Sequence, residues 1–397
     1  MRDLLPADME RFRQVEAAFR SACLSWGYEE IRTPTIEHLF LFTGAGTLSP
    51  QMLGRVYSFL DWDGWSGERV VLRPDATIPA ARLYIESLNH GRPAKLFYVQ
   101  NVFRFAQGDE TREDWQCGVE LIGDTGPVGD IELVLLALDT LKALTEQPVT
   151  VRLSHPGIVK AVLAKAGFAA PEQLQLYDRL LDGDAAVLPE VESRLPDISA
   201  SLEMLLGLEG EGSGYLKNVS ATFSAAIPEL AAPLQELLAL AETLETLDCR
   251  PLVSAALVRN FEYYTGPVFR FAVDGESLGG GGRYDSLIAQ VGGERQVPAS
   301  GFALSAQRLM EVLPAGGVIE RQPVSVQPES DEPPSLAKAF RTAAELRSRG
   351  IEVQVAGEAQ GAKLTFEGPG YRLTQPSGTH MAASDIESVL REFRQDA

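Results

Sequence analysis

Basic residues are under-represented in this chain. Among 397 residues, 35 Lys and Arg stand against 55 Asp and Glu, a formal net charge of −20. Nucleic-acid binding draws on phosphate neutralisation by Lys and Arg, so the balance weighs against such a partner unless a local basic patch supplies it. Cysteine is scarcer still. Cys23, Cys117 and Cys249 are scattered and odd in number, which argues against a disulfide framework or a cysteine-rich zinc site. The four histidines, His38, His90, His155 and His380, are never three or four residues apart, so no metal site is expected. No apolar run reaches the ~18 residues of a membrane span. The opening MRDLLPADMERFRQ is charged where a signal peptide would be apolar. A cytoplasmic protein without a membrane partner is the expectation.

Hydrophobic residues make up 45% of the chain, enough for a large core, and the length predicts two or three domains. Met9, Phe12, Val15, Phe19 and Ala22 recur at helical spacing and predict an amphipathic helix over 8–26, ended by Gly27. Residues 28–36 read as a strand interrupted by Pro34, and 70–72 as a short strand before a helix over 75–88. KLFYVQNVFRF (95–105) and WQCGVELI (115–122) predict an antiparallel hairpin. A helix over 130–143 and a strand over 149–153 follow. Residues 171–216 change to Leu- and acid-rich helical stretches, broken at GEGSG (210–214), and read as a helical insertion. Another helix covers 228–246. GFALSAQRLMEV (301–312) reads as a strand leading into a helix. Residues 314–334 hold five prolines and read as a linker overlapping a short strand at 324–326. A helix over 335–349, strands at 351–355 and 363–367, and a helix over 384–394 make a small α/β unit. The expected domains are 1–313, the linker 314–334, and 335–397.

Chemistry concentrates in LVRNFEYYTGPVF (257–269) and LGGGGRYDSL (278–287). Arg259 supplies a cationic fork, Tyr263 and Tyr264 a pair of phenols, and the glycines, read here as a turn, let backbone approach a ligand. Such a cradle suits a small zwitterion with a polar ring. Gln116 and Glu120 lie two pleats apart on one predicted strand, so they share a face.

These two blocks closely resemble the histidine-specific motifs of histidyl-tRNA synthetase. Three further blocks, in the right order around them, resemble the signatures of class II aminoacyl-tRNA synthetases: WGYEEIRTPTIE (26–37), FYVQNVFRF…WQCGVELIG (97–123) and GFALSAQRL (301–309). The resemblance covers about residues 1–312. It implies an α+β fold, an antiparallel sheet flanked by helices, with the insertion and a small C-terminal α/β domain added. The first block then belongs to a dimer interface. LRPDAT (72–77) is similar to the family's LRPEGT, placing Asp75 where a glutamate holds the substrate ammonium, with Thr77 retained. The resemblance assigns Gln116, Glu120, Tyr263 and Tyr264 to the amino acid and Arg259 to its carboxylate. Arg104 and Arg308 fall at the two ATP-clamping positions.

Several positions depart from the family pattern. Its His-Glu-Arg-Pro run after Arg104 is Phe105, Ala106, Gln107 and Gly108 here, so the glutamate near the adenine becomes Ala106. The segment DETREDW (109–115) carries four acidic residues and one arginine, which predicts a surface unfavourable to triphosphate. Gln307 replaces a carboxylate near ATP and magnesium, and an amide is the weaker Mg²⁺ ligand. RGLDYY becomes RNFEYY (259–264). The C-terminal unit reads as reduced, its GEAQGA segment (357–362) too short for a helix, and its charges are mixed. A retained amino-acid pocket, an eroded ATP pocket and a reduced C-terminal domain resemble the family of regulatory subunits of short-form ATP phosphoribosyltransferase. That resemblance implies no catalysis and no cofactor, histidine as effector at Asp75, Thr77, Arg104, Gln116, Glu120, Arg259, Tyr263 and Tyr264, and a vestigial ATP site at Arg104 and Arg308. It also implies a separate catalytic subunit as partner, a homodimer within a hetero-octamer, and no tRNA. The other reading, kept open by Arg104, Arg259 and Arg308, is an active histidyl-tRNA synthetase with divergent motifs.

Overall fold

The computed structural model describes residues 3–44, 54–62, 67–88, 92–105, 111–123, 126–207, 209–255, 257, 264–314, 323–355 and 361–395. The chain forms two compact units, Met1–Gly317 and Val318–Ala397. In chain order the first contributes strands β1 (Glu29–Glu30), β2 (Ile36–His38), β3 (Ser58–Trp62), β4 (Gly67–Leu72), β5 (Ala94–Phe103), β6 (Glu113–Ile122), β7 (Val149–Ser154), β8 (Gly210–Glu211), β9 (Leu252–Val253), β10 (Val268–Val273), β11 (Glu276–Arg283) and β12 (Ala299–Ser305). Nine of them form one sheet in the order β1-β5-β6-β12-β11-β10-β7-β9-β8. From β5 to β7 every pairing is antiparallel, while β1–β5 and β7–β9 are parallel. Strands β2, β4 and β3 make a separate antiparallel sheet.

Alternation along the strands gives the large sheet two unlike faces. Cys117, Val119 and Leu121 of β6, Phe302 and Leu304 of β12, and Phe269 and Phe271 of β10 share one apolar core. Helix Pro6–Ser25 adds Phe12, Val15, Phe19 and Cys23 to that core, and helix Pro127–Leu144 adds Leu133, Ala137 and Leu141. The intervening residues of the same strands, among them Gln116, Gly118 and Glu120, belong to the opposite face, where the site lies.

In this unit three sequence expectations need correction. The strand expected over 28–36 is two elements in different sheets, β1 and β2. Arg73 separates them by donating to the carbonyls of Thr33 (2.8 Å) and Pro34 (2.9 Å), which occupies backbone a continuous strand would have paired. The glycine block is a strand rather than a turn. Gly279–Gly282 sit in β11 between β10 and β12, and the reversal falls earlier, at Asp274 (φ 49°) and Gly275 (φ 83°). The insertion comprises helices Ala170–Leu181, Val187–Arg194 and Ser199–Leu202. Its expected end at 216 falls inside helix Gly212–Phe223, whose first turn is fastened by Ser213 N–H donating to Glu245 Oε1 at 2.7 Å.

The second unit has strands β13 (Val324–Val326), β14 (Val353–Val355), β15 (Lys363–Glu367), β16 (Gly370–Thr374) and β17 (His380–Ala383), in the order β14-β13-β15-β16-β17, with helices Pro333–Ser348 and Ile386–Gln395. The short strand read as part of the linker is therefore interior to this sheet, pairing in parallel with both β14 and β15, and the unit begins before residue 335. Strands β16 and β17 were not anticipated. Most of the short GEAQGA segment, 357–360, lies outside the described residues. Among the described residues no helix is long and apolar enough to cross a membrane, and no three His, Cys, Asp or Glu side chains converge as metal ligands.

Candidate functional site

Glu120 is the centre of the polar face. It is 1% exposed, and its carboxylate accepts from Tyr98 Oη at 2.9 Å through one oxygen and from Tyr284 Oη through the other. The register explains the grouping. Tyr98 on β5 stands directly opposite Gly118 on β6, and Gly301 on β12 opposite Glu120. A Cβ at Gly118 would lie 2.2 Å from Tyr98 Cζ, and one at Gly301 2.2 Å from Glu120 Oε2. Both glycines therefore open the space that the tyrosine ring and the carboxylate fill. The Thr77 hydroxyl lies close enough to Glu120 and Tyr98 to influence the titration of both. Burial pushes the Glu120 carboxyl up to about 8, against the lowering effect of the Tyr284, Thr77 and Tyr98 hydroxyls, and the nearby Asp75 charge pushes the same way as burial. Gln116, 9% exposed, lies two pleats along the same face.

Asp75 comes from the loop between β4 and helix Thr77–Leu83. Its Oδ1 accepts from Ile78 N–H at 3.0 Å, fastening the helix start, and burial raises its carboxyl while the Arg104 charge opposes the rise. The loop is held by Arg73, 3% exposed, which also donates to the Asn101 carbonyl at 2.7 Å and to Asn101 Oδ1 at 2.8 Å. Arg104 donates to the Pro74 carbonyl at 2.9 Å. Four arginine donors thus fix the backbone that presents Asp75 and Thr77.

Tyr264 completes the wall. A Cβ at Gly282 would meet its ring at 2.9 Å, so the ring lies against the glycine floor of β11. Burial raises its phenol, and the charges of Asp75 and Glu120 raise it further. Arg259 and Tyr263 lie outside the described residues. Asp75, Thr77, Glu120 and Tyr264 thus come together in one cluster, with Gln116 on its strand face and Arg104 at the Asp75 loop. Tyr98, Tyr284 and Gly118 were missed by sequence reasoning. The period of two on β5 and the tyrosine two residues beyond the glycine block were the available signals.

Arg308 lies apart, in a cleft of about 580 Å³ lined by Arg55, Arg104, Arg112 and Arg308 and by Asp114, Glu276 and Glu311 among others. Among the described lining residues, four arginines stand beside three carboxylates. Glu113 is instead held by Asn101 Nδ2 at 2.8 Å, and Asp114 accepts from Ser305 Oγ at 2.7 Å. Asp109 and Glu110 lie outside the described residues. The cleft arginines are largely engaged within the protein. Arg308 donates to the Ser277 carbonyl at 2.9 Å, Arg55 to the Phe105 carbonyl at 3.3 Å, and Arg112 stacks over the Phe105 ring. Gln307 Oε1 accepts from Trp115 N–H at 2.9 Å, so the residue at the family's carboxylate position braces β6.

An antiparallel sheet carrying a buried carboxyl–tyrosine cluster beside an arginine-lined cleft is the arrangement of a class II synthetase-like chain. The histidyl-tRNA synthetase family model matches residues 1–309. An ATP phosphoribosyltransferase regulatory subunit from Dehalococcoides mccartyi is 47% identical over 404 residues, covering 100% of this chain and 95% of that protein. A histidine–tRNA ligase from Methanosarcina acetivorans is 33% identical over 87% of this chain and 81% of its own length. A Bacillus halodurans structure, described as an ATP phosphoribosyltransferase regulatory subunit/histidyl-tRNA synthetase, superimposes with a TM-score of 0.76 at 28% identity, covering 89% of this chain and 90% of that one. Within the synthetase-like class, the chain belongs to the family of ATP phosphoribosyltransferase regulatory subunits.

Proposed function

We propose that this chain is the non-catalytic regulatory subunit of a short-form ATP phosphoribosyltransferase, required in the cytoplasm for the first step of histidine biosynthesis, and that its pocket senses histidine for feedback inhibition. The observation that carries the sensing role is Glu120, a buried carboxyl ringed by hydroxyls in a pocket that also holds Asp75. A ligand that brings a cationic ammonium and an imidazole complements these two carboxyls, which within the protein accept from Tyr98, Tyr284 and the Ile78 N–H. Histidine binding then biases the assembly between active and inhibited states, a coupling of ~1–3 kcal/mol in comparable systems.

The partner is the separate catalytic subunit, in a hetero-octamer that contains a homodimer of this chain. The small β2-β4-β3 sheet supports the homodimer, since Leu60 and Trp62 of β3 and Phe40 beside it are 56%, 63% and 69% exposed. Apolar side chains this exposed on one small sheet fit a subunit interface. Cations of the C-terminal unit are tied to carboxylates, Arg349 to Glu387 at 2.7 Å and Arg372 to Glu367, which disfavours a tRNA-reading role. One observation favours the other reading, an active histidyl-tRNA synthetase: the cleft keeps Arg104 and Arg308. Histidine-dependent exchange of pyrophosphate into ATP decides between them. The regulatory reading expects none from the purified chain, and robust exchange overturns it. Reconstitution with the catalytic subunit is the positive test. Full activity and histidine sensitivity without this chain would remove its role.

A further inference from the structure

Arg283 closes β11 on the apolar face of the sheet, where a cation must be paired. It stands opposite Ser300 in the register, and Phe302 and Leu304 follow on the same face of β12 within the core. The guanidinium, 12% exposed, forks between two helices. One nitrogen donates to Asp130 in the first turn of helix Pro127–Leu144, the other to Glu236 of helix Ala231–Thr246 at 2.8 Å. Asp130 is 1% exposed and also accepts from Ser300 Oγ at 3.4 Å. His155, at the start of helix Pro156–Lys165, faces the same Glu236 oxygen at 3.9 Å through Nε2, while its Nδ1 accepts from Gly157 N–H at 3.0 Å. A Cβ at Gly266 would lie 3.0 Å from Arg283 Cζ, so that glycine leaves the guanidinium its room.

The next residue points the other way. Tyr284 follows Arg283 directly, so its side chain takes the opposite face, where its hydroxyl donates to Glu120. A Cβ at Gly301 would come within 2.8 Å of that hydroxyl, so the phenol lies over Gly301 of β12, the strand between β11 and β6. Thr265 N–H donates to the Arg283 carbonyl at 2.8 Å, and Tyr284 N–H to the Ala299 carbonyl at 2.7 Å. Asp285 then turns back and accepts from Ala299 N–H at 3.1 Å. The direction of Tyr284 therefore depends on where the end of β11 sits, and the ion pairs behind the sheet fix that end against two helices. Desolvation offsets much of the attraction in a buried ion pair, so such a lock is explained better by the geometry it holds than by net stability.

We propose that Arg283 is a positioning residue of the pocket: it locks the end of β11 to the helices behind the sheet, holds the Tyr284 hydroxyl on Glu120, and so sets the affinity for the effector. The assignment rests on the reading of the pocket as a histidine site. Calorimetry with histidine on the full chain tests it through a double-mutant cycle. Tyr284→Phe should weaken histidine by roughly 10-fold, about one hydrogen bond to a charged group. Arg283→Lys, which keeps a charge but loses the fork, should weaken it by roughly 5- to 20-fold. In the Tyr284→Phe background the Arg283→Lys loss should shrink below about twofold, since both act through one contact. Glu236→Gln, on a side chain 37% exposed, is the second variant should Arg283→Lys unfold. It should weaken histidine by roughly 3- to 10-fold, and that loss too should vanish beside Tyr284→Phe. Unchanged affinity in Arg283→Lys or Glu236→Gln, or losses that multiply with that of Tyr284→Phe, would overturn the assignment alone. A wild type that binds no histidine overturns the histidine reading and this assignment with it.

Discussion

The Glu120 cluster and the arginine cleft share β6, β12 and the residues around Arg104, yet they are built in opposite ways. In the pocket a fully buried carboxyl is surrounded by hydroxyls whose positions follow from strand register and from glycines that vacate space. In the cleft, half-exposed arginines spend donors on protein carbonyls and on an aromatic ring. The first cluster holds its charge out of water on tyrosine hydroxyls and a backbone N–H, whereas the cleft leaves its arginines half in solvent. Gln307, which accepts from Trp115 N–H, likewise serves the scaffold.

The sharpest way to break this contrast is Glu120→Gln. It preserves shape but removes the carboxylate, and histidine affinity should fall by ~10²-fold by calorimetry. The same variant tests the pH behaviour of the empty protein. Because the folded carboxyl sits above its ordinary 4.5, at about 8, the native state holds a proton the unfolded chain has released. Stability should therefore be greatest below 4.5 from this group and fall as pH rises through 8, with a slope of up to ~1.4 kcal/mol per pH unit. Denaturant melts at several pH values should show that slope reduced in Glu120→Gln. An unchanged slope would place the titration elsewhere.

Gly118→Ala should come next. Its Cβ would lie 2.2 Å from Tyr98 Cζ, so the ring must move. Overpacking of this kind costs about 1–3 kcal/mol in a denaturant melt, and Tyr98 should lose its bond to Glu120. Tyr264→Phe keeps the ring against Gly282 and deletes only the hydroxyl, so histidine binding should weaken by roughly 3- to 10-fold, about one hydrogen bond. The smallest effect sharpens the contrast from the other side. Arg308→Ala should change histidine affinity by less than about twofold, because its hydrogen bond goes to the Ser277 carbonyl and not to the pocket cluster. A larger loss would mean that cleft and pocket act as one site.

Much of this architecture is legible in the sequence. Phe12, Val15 and Phe19 at helical spacing marked the first helix, and the β5–β6 hairpin followed from alternation and a polar break. Glu120 and Gln116 on one face follow from the period of two. The glycine block misled, because glycines suit both a turn and a crowded central strand. A single sequence does not show that Ala303 and Gly301 run alongside. Tyr98 was hidden in an apolar run whose two faces differ only once the partners on β6 and β12 are known.

The sequence alone determined the order of elements, the core-facing residues and the chemistry available, since periodicity, capping and turn preferences act over a few residues. Tertiary structure decided which groups meet. Glu120 and Tyr284 are far apart in the chain, and Arg283 meets Asp130 and Glu236 only once the helices pack behind β11. The reason is physical: register across non-local strands is set by packing and backbone hydrogen bonds between segments, and those terms exist only once the sheet has closed.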